Sequence, residues 1–503
     1  VLVGSLVLLS LVLRVPGYVH QLFDPDEAAI AVQGMGLVEG GHLYTDVIDR
    51  KPPLAPWLYA ESFRLTHSRD LRPLRVVLAL ELAAAAVLLA WDLWRRAGPR
   101  AAWWGSTLFL LGMTAMAPQD AQSANFSPLA ILPGVAAIVL ARRGSLRSAI
   151  GAGVCVGLAT LTRQSWAIGV VPACLAVWCT ADNRLEGIEP PPRADDERFD
   201  RWVLRTVRGA GAPPVIRSAA VFVAALLTVA AVGLTLPLGL FVRWVFTGNG
   251  SLLFGLSESR GVAGRALGSL ALFVVGHLVL CVLLVRRRWD RADLDLWCWL
   301  AVGLLSVVAG LRFFGHYWVQ VLPPLCLLAA PAIGGFNARW RAWLAGVAGL
   351  TAVVFFGLSL VPGRVHHFPG TRAVARIIDA NTVPHDRVAI WGSFPELYWA
   401  SDRLPAGGLI LTDFVVGKSA GRIEGPRTIR DAAPDIVHDY VGQLEANPPR
   451  IFVDTSAAGL RGYGRYPVSV LPALEHLLKT RYKPIAVVDH MVVYRYVGPA
   501  DRP

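Results

Sequence analysis

The chain has 503 residues, of which 54% are hydrophobic and 17% charged, and a formal net charge of +12. Ordinary soluble domains carry about 25% charged residues, so this composition, with its positive mean hydropathy, argues against a soluble globular protein and for a polytopic membrane protein. The net positive charge does not mark a nucleic-acid binder. The arginines fall in short clusters between apolar runs, as in loops retained on the cytoplasmic side, and no nucleic-acid partner is expected.

About eleven apolar runs come near or above the roughly 20 residues that cross a bilayer. The first, 1–15, leads into Pro16-Gly17 and an acidic loop rather than a small-residue cleavage site, and reads as a retained span, not a signal peptide. Loop 16–73 follows. It carries three carboxylates in Asp24-Pro25-Asp26-Glu27 and then Tyr44-Thr45-Asp46-Val47-Ile48-Asp49-Arg50-Lys51-Pro52-Pro53, which sets a cation against a rigid turn. Lysine is scarce: after Lys51 the next is Lys418. A second span is expected over 74–94, ended by Arg95-Arg96. Runs 101–117 and 126–141 make one hairpin, and 146–162 and 166–180 another. Arg142-Arg143 separates them, and Arg163 sits at the tip of the second. The polar stretch 182–217 contains a segment, 198–205, that suits either an interfacial amphipathic helix or a disordered linker. The remaining spans are expected over 218–242, 266–285, 294–311, 314–334 and 342–361.

An odd count with the basic clusters inside puts the N-terminus in the cytoplasm of a bacterial-type inner-membrane protein. Loop 16–73, Arg163, loop 243–265 and the 312–316 turn then share the outer face. Residues 1–361 are expected to form the membrane module, and 362–503 an extracytoplasmic α/β domain of common size. Strands are read at 388–392, 451–455, 485–489 and 491–497, and helices at 372–381, 435–445 and 472–480. The domain has no dinucleotide-binding or P-loop glycine pattern, and Gly392-Ser393 reads as a turn. All six cysteines lie in apolar runs, which implies no disulfide framework or thiolate metal site.

Asp26 and Glu27 are compatible with a solvated loop and with an active site. The apolar Ala28-Ala29-Ile30-Ala31-Val32 follows at once, and a partly desolvated carboxylate there would be a better general base. Lys51 offers a point charge to a phosphate or to lipid headgroups. His42, Asp46 and Asp49 admit a divalent cation or an acceptor contact, at no specific spacing. Arg163 interrupts two apolar runs, where an ionisable group is costly and usually functional or paired. Arg312, His316 and Tyr317 bound the outer end of two late spans, and function is placed ahead of structure for them. For Asn125, Glu258 and Arg260 packing or surface roles are the default. A transporter or flippase for lipid-linked sugars would show internal repeats, which are not evident; a scaffold would not need paired acids facing a lysine.

Pro25-Asp26-Glu27 after a first span, followed by Tyr44, Asp46 and Asp49-Arg50-Lys51-Pro52-Pro53-Leu54, resembles the first outer loop of the glycosyltransferase C (GT-C) superfamily. The similar branch is that of protein O-mannosyltransferases, lipid A aminoarabinose transferases and their dolichyl-phosphate-mannose-transferase-like relatives. Gly153 to Arg163 is similar to a glycine-rich span of that group, and Phe314-Gly315-His316-Tyr317 through Pro323-Pro324 to its late span. The resemblance covers the membrane part. It implies inverting transfer of a sugar from a polyprenyl-phosphate donor to a glycan, lipid or protein acceptor at the outer face. Under it, Asp26 is the base, Glu27 supports Asp26 or orients the loop, and Lys51 holds the donor phosphate with Arg163 and with Arg312, His316 or Tyr317. Arg50 stands where relatives often have an acid, which leaves the divalent cation open.

Overall fold

A computed structural model describes residues 1–185, 212–247, 261–309, 311–361, 370–418 and 434–498. The 198–205 segment, Glu258 and Arg260 lie outside the described residues. The chain divides into two units: 1–20, 75–236 and 263–361 form one, and 21–74, 237–262 and 362–503 the other.

The first unit is helical. Its tightest packing follows from small residues. Leu146–Thr162 starts at a capping box in which Ser145 and Ser148 satisfy each other's backbone N–H groups; such boxes fix where a helix begins. Gly153 and Gly157, one turn apart, let this helix close on Pro214–Gly233. A Cβ at 153 would lie 2.3 Å from the Val221 carbonyl oxygen, and one at 157 would lie 2.6 Å from Thr228 Cβ. This is the small-xxx-small mode of membrane helix packing. The glycine-rich run read as a family feature thus has a packing role.

Two expected spans, 74–94 and 101–117, join as Arg72–Thr114, broken at Gly98. Gly98 has φ of 83° and precedes Pro99, and glycine is the residue that takes such a conformation without strain. The expected 266–285 span is bent by 84° between Val262–Gly276 and Leu278–Val285. A Cβ at Gly276 would come within 2.4 Å of the Ala115 carbonyl oxygen. Four described helices are long and apolar enough to cross a membrane: Arg72–Thr114, Pro214–Gly233, Gly315–Gly335 and Ala338–Leu360. The bent pair makes five if counted as one span. The eleven expected runs include shorter helices, such as Leu2–Leu13 and Leu146–Thr162, which prolines, glycines and caps stop before they reach that length.

The second unit carries two helices from loop 16–73, Pro25–Val38 and Leu54–Thr66, and a four-stranded sheet. Strands β1 (Val388–Trp391), β2 (Ile451–Asp454), β3 (Tyr482–Val488) and β4 (Met491–Tyr496) are ordered β1-β2-β4-β3. The β1–β2 pair is parallel and the other two are antiparallel. The β3–β4 hairpin turns at Asp489 and His490, both at positive φ, as a two-residue turn matched to strand twist requires. Thr371–Asn381, Pro434–Ala446 and Pro472–Arg481 are helical.

The expected grouping set loop 16–73 with the first 361 residues. In the structure residues 21–74 group with the C-terminal part instead, for a visible reason. Ile48 N–H donates to the Gly408 carbonyl at 2.8 Å, the Trp399 indole donates to the Arg69 carbonyl at 3.1 Å, and Arg69 pairs with Asp402 at 3.3 Å.

Replacing Gly153 by leucine forces the 146–162 and 214–233 helices apart, an overpacking cost of about 1–3 kcal/mol. A lowered thermal midpoint in detergent is expected for Gly153→Leu. Gly151→Leu, whose Cβ would meet only Leu140 Cδ1 at an ordinary 3.4 Å, should leave the midpoint unchanged.

Candidate functional site

In the second unit the acidic tetrad builds a helix start. Asp24 is the N-cap of Pro25–Val38, its carboxylate accepting from Asp26 N–H at 3.0 Å, with Pro25 at the first helical position where its missing N–H costs nothing. Glu27 is fully buried and accepts from Phe23 N–H at 3.1 Å. Carboxylates are favoured at this end by the unsatisfied N–H groups and the helix dipole. Two of the three acids are therefore engaged in shaping the turn. The third, Asp26, meets the lysine: its Oδ1 lies 3.3 Å from Lys51 Nζ, with the two side chains 28% and 11% exposed.

Lys51 is held by its own backbone. Its carbonyl accepts from the Tyr44 hydroxyl at 2.9 Å, and Pro52 and Pro53 beyond it are buried. Tyr44 has φ of 71°, a strained conformation for a bulky residue and one that persists only where the surroundings over-determine it. Tyr44 is 1% exposed, and its N–H donates to the Val47 carbonyl at 3.2 Å.

The three groups considered for a metal do not converge. Asp46 Oδ2 accepts from His42 N–H at 2.8 Å and faces His42 Nδ1 at 3.2 Å, on a side chain that is 76% exposed. The hydrogen bond from the His42 backbone is what chiefly holds the Asp46 carboxyl below its ordinary value. Asp49 is 1% exposed; its Oδ1 accepts from Arg50 N–H at 2.7 Å, while its Oδ2 has no hydrogen-bond partner. Burial pushes the Asp49 carboxyl up, against the opposing pull of Lys51 and Arg50. Among the described residues no group of three His, Cys, Asp or Glu side chains could hold a metal ion. His42, Asp46 and Asp49 therefore form no three-ligand metal cage of their own.

In the first unit a second cluster forms around Arg163, which ends Leu146–Thr162 as its C-cap and is 5% exposed. Its Nη1 donates to Ser127 Oγ at 2.7 Å and to the His316 carbonyl at 3.4 Å. The guanidinium lies over the Tyr317 ring, 4.6 Å from the centroid, and 5.8 Å from that of Phe126. His316 is anchored in turn by Asp120, whose Oδ1 accepts from His316 N–H at 2.7 Å and lies 3.2 Å from Nδ1. Gly315 makes room for this: a Cβ there would sit 2.1 Å from Asp120 Oδ2. Leu311 and Phe313, on either side of Arg312, have φ of 51° and 55°, so a second strained stretch borders a candidate residue.

Each unit thus gathers its own expected residues, Asp26 with Lys51 in one and Arg163 with His316 and Tyr317 in the other. Sequence reasoning missed Asp120 and Ser127. Ser127 is 36 residues from Arg163 and Asp120 is 196 residues from His316, distances at which local pattern carries no signal. Asn125 takes the packing role assumed for it, capping Phe126–Leu129 by accepting from Ser127 N–H at 2.9 Å.

Comparison of the structure with solved ones gives matches along the whole chain. ArnT from Cupriavidus metallidurans, described as bound to undecaprenyl phosphate, aligns over 98% of both chains with a TM-score of 0.57 and 16% identity. Its apo state gives 0.59 and 14% over the same shares. The Archaeoglobus fulgidus oligosaccharyltransferase AglB, in complex with an inhibitory peptide and a dolichol-phosphate, covers 100% of this chain and 74% of its own, with a TM-score of 0.52 and 12% identity. All are glycosyltransferases of the GT-C superfamily. The chain has the GT-C fold. No protein-family model matches the sequence, and no curated protein does. At these identities the GT-C likeness is one of fold.

Asp49 gives one test of the local electrostatics. With its folded value raised above the ordinary 3.8, ionisation costs folding stability. The cost is absent below the ordinary value and appears as pH rises through the raised one. Asp49→Asn is expected to raise the thermal midpoint at about pH 7 and to lose that advantage near pH 4. An advantage independent of pH would contradict the buried-carboxylate origin.

Proposed function

We propose that this chain is an inverting membrane glycosyltransferase that moves a sugar from a polyprenyl-phosphate donor to an acceptor hydroxyl at the outer face of the membrane. The observation that carries the reading is the Asp26–Lys51 contact at 3.3 Å. It joins a carboxylate and an ammonium at the positions that resemble the GT-C base and phosphate ligand. The alignment with ArnT along 98% of both chains supports it.

In the proposed reaction Asp26 takes the acceptor hydroxyl proton as that oxygen attacks the anomeric carbon. The bond to the phosphate oxygen breaks on the opposite face, and polyprenyl phosphate departs with the electron pair. Lys51 neutralises the charge that develops on the departing phosphate, which is where electrostatic catalysis acts. Before the donor arrives, the Lys51 ammonium rests on Asp26. The donor phosphodiester, a monoanion that gains a second negative charge as the sugar leaves, competes for that ammonium and leaves the Asp26 carboxylate available to the acceptor. Glu27 and Asp24 position Asp26 through the helix start they cap.

Transfer from a radiolabelled polyprenyl-phosphate sugar by the purified chain tests this. Asp26→Asn is expected to lower kcat by about 10²–10⁴-fold, the usual worth of a general base. Lys51→Ala removes a charge-assisted contact of about 1.5–3 kcal/mol and should weaken donor binding by roughly 10–100-fold. Lys479→Ala, at an exposed ion pair with Glu475, should do neither. Undiminished transfer by Asp26→Asn would remove Asp26 as the base, and an active enzyme in which Lys51→Ala and Lys479→Ala behave alike would remove the phosphate role of Lys51.

A further inference from the structure

Lys51 and Asp26 share a unit with the four-stranded sheet, and a backbone connection runs from that sheet to the lysine. It begins at β1. Val388 N–H donates to the Leu404 carbonyl at 3.0 Å, and Ala406 N–H to the Val388 carbonyl at 2.8 Å. Further along, the same segment pairs with the acidic loop. Ile48 N–H donates to the Gly408 carbonyl at 2.8 Å, and Ile410 N–H to the Ile48 carbonyl at 3.4 Å. These are two parallel bridges, Val388 with Pro405 and Ile48 with Leu409. Residues 404–410 thus carry the edge of the sheet across to Ile48, just before Lys51.

The bend between the bridges is made by Gly407 and Gly408, at φ of 73° and 75°, values that glycine takes without strain. Gly408 also supplies room. A Cβ there would lie 2.9 Å from the Thr45 carbonyl oxygen and 3.1 Å from Ile48 Cδ1. Arg387 adds a side-chain tie, its Nη1 donating to the Pro405 carbonyl at 3.1 Å and to that of Asp46 at 3.4 Å. The loop is held from the other side as well. A Cβ at Gly36, on Pro25–Val38, would meet Val47 Cγ1 at 2.5 Å. Within the loop, Tyr44 N–H donates to the Val47 carbonyl at 3.2 Å, and the Tyr44 hydroxyl holds the Lys51 carbonyl at 2.9 Å. The path from β1 to Lys51 therefore needs only hydrogen bonds and short stretches of backbone. Asp26 stands apart from it, on the helix that Asp24 caps.

We infer that residues 404–410 position Lys51 for the donor phosphate, with Gly408 as the positioning residue where segment and loop meet. This role rests on the phosphate contact proposed for Lys51. It gives the sheet-bearing part of the chain a task in donor binding. A lysine is a point charge on a flexible stem, so fixing its backbone is what fixes where the charge is offered.

Hydrogen exchange read by mass spectrometry on the detergent-purified full chain follows residues 42–51 without any substrate. Donor KM and kcat are then measured with the radiolabelled polyprenyl-phosphate sugar. Gly408→Ala is expected to speed exchange in 42–51 by about fivefold, the worth of one ordinary hydrogen bond, and to raise donor KM similarly. The effect on kcat should be smaller, because the base is anchored on a separate helix. Gly459→Ala is the control: φ there is 66°, and a Cβ would meet nothing within 4 Å. It carries the same left-handed strain and should leave both readings unchanged. Tyr44→Phe is expected to raise donor KM as well, with the double variant close to either single one, since both act through Lys51. Should Gly408→Ala fail to fold, Arg387→Gln, at an exposed residue, loosens the same two segments and should move both readings in the same direction. Unchanged exchange in 42–51 in folded Gly408→Ala and Arg387→Gln overturns the assignment. So does faster exchange with donor KM unchanged while Lys51→Ala raises it. If Lys51→Ala leaves donor KM unchanged too, the phosphate role of Lys51 falls and the donor role of 404–410 falls with it. The exchange alone then tells whether 404–410 order the loop.

Discussion

A charge removed from water must find its compensation inside the chain, because an isolated buried ion costs several kcal/mol or more. That constraint orders most of this molecule. In the first unit Asp295 is fully buried and takes both bonds of Arg142, and Asp120 holds His316 by ring and backbone. Arg75, also fully buried, donates to the carbonyls of Gly17 and His20, satisfying acceptors at the end of a short helix. In the second unit Glu27 and Asp24 answer backbone N–H groups, and Asp26 answers Lys51. Asp24 and Glu27 mark where a helix begins, and Arg75 where a short one ends.

Against that background some groups near the candidate residues are strained or only partly hydrogen-bonded. Asp49 keeps one carboxylate oxygen without a hydrogen-bond partner, next to the lysine and the aspartate proposed to do the chemistry. Tyr44, whose hydroxyl positions Lys51, is held at positive φ. Local strain and partial satisfaction of this kind persist where the surrounding structure holds a group for a task. In the first unit, Arg163 pressed between Tyr317 and Phe126 rings is a cation in an aromatic, water-poor setting, where a phosphate would feel its charge with little screening.

Much of the candidate chemistry was legible because it is local. Asp24-Pro25-Asp26-Glu27 specifies a capped helix start by residue type alone, and Lys51-Pro52-Pro53 specifies a rigid step into a helix. The strands and helices of 370–498 follow from alternation and helical spacing, and they occur where those patterns predict them. The count of spans was less legible. Hydropathy measures the length of an apolar run, whereas the bend near Gly276 and the break at Gly98 come from close backbone approach and a left-handed φ. That His42, Asp46 and Asp49 do not gather into one three-ligand group was not legible for a related reason: spacing cannot tell that one of the three is buried while another faces solvent.

The sequence by itself determined the membrane-embedded class, the acid–lysine loop and the resemblance to GT-C enzymes, because composition, capping and proline chemistry act over a few residues. Only the tertiary structure decided that loop 21–74 is stitched to residues 398–410, that Asp120 and Ser127 anchor His316 and Arg163, and that residues 404–410 join the sheet to the loop before Lys51. Those outcomes depend on burial and on partners as far apart as Ile48 and Gly408. Such pairings are selected by the whole packed chain, since the cost of leaving each charge uncompensated is felt only once water has been excluded.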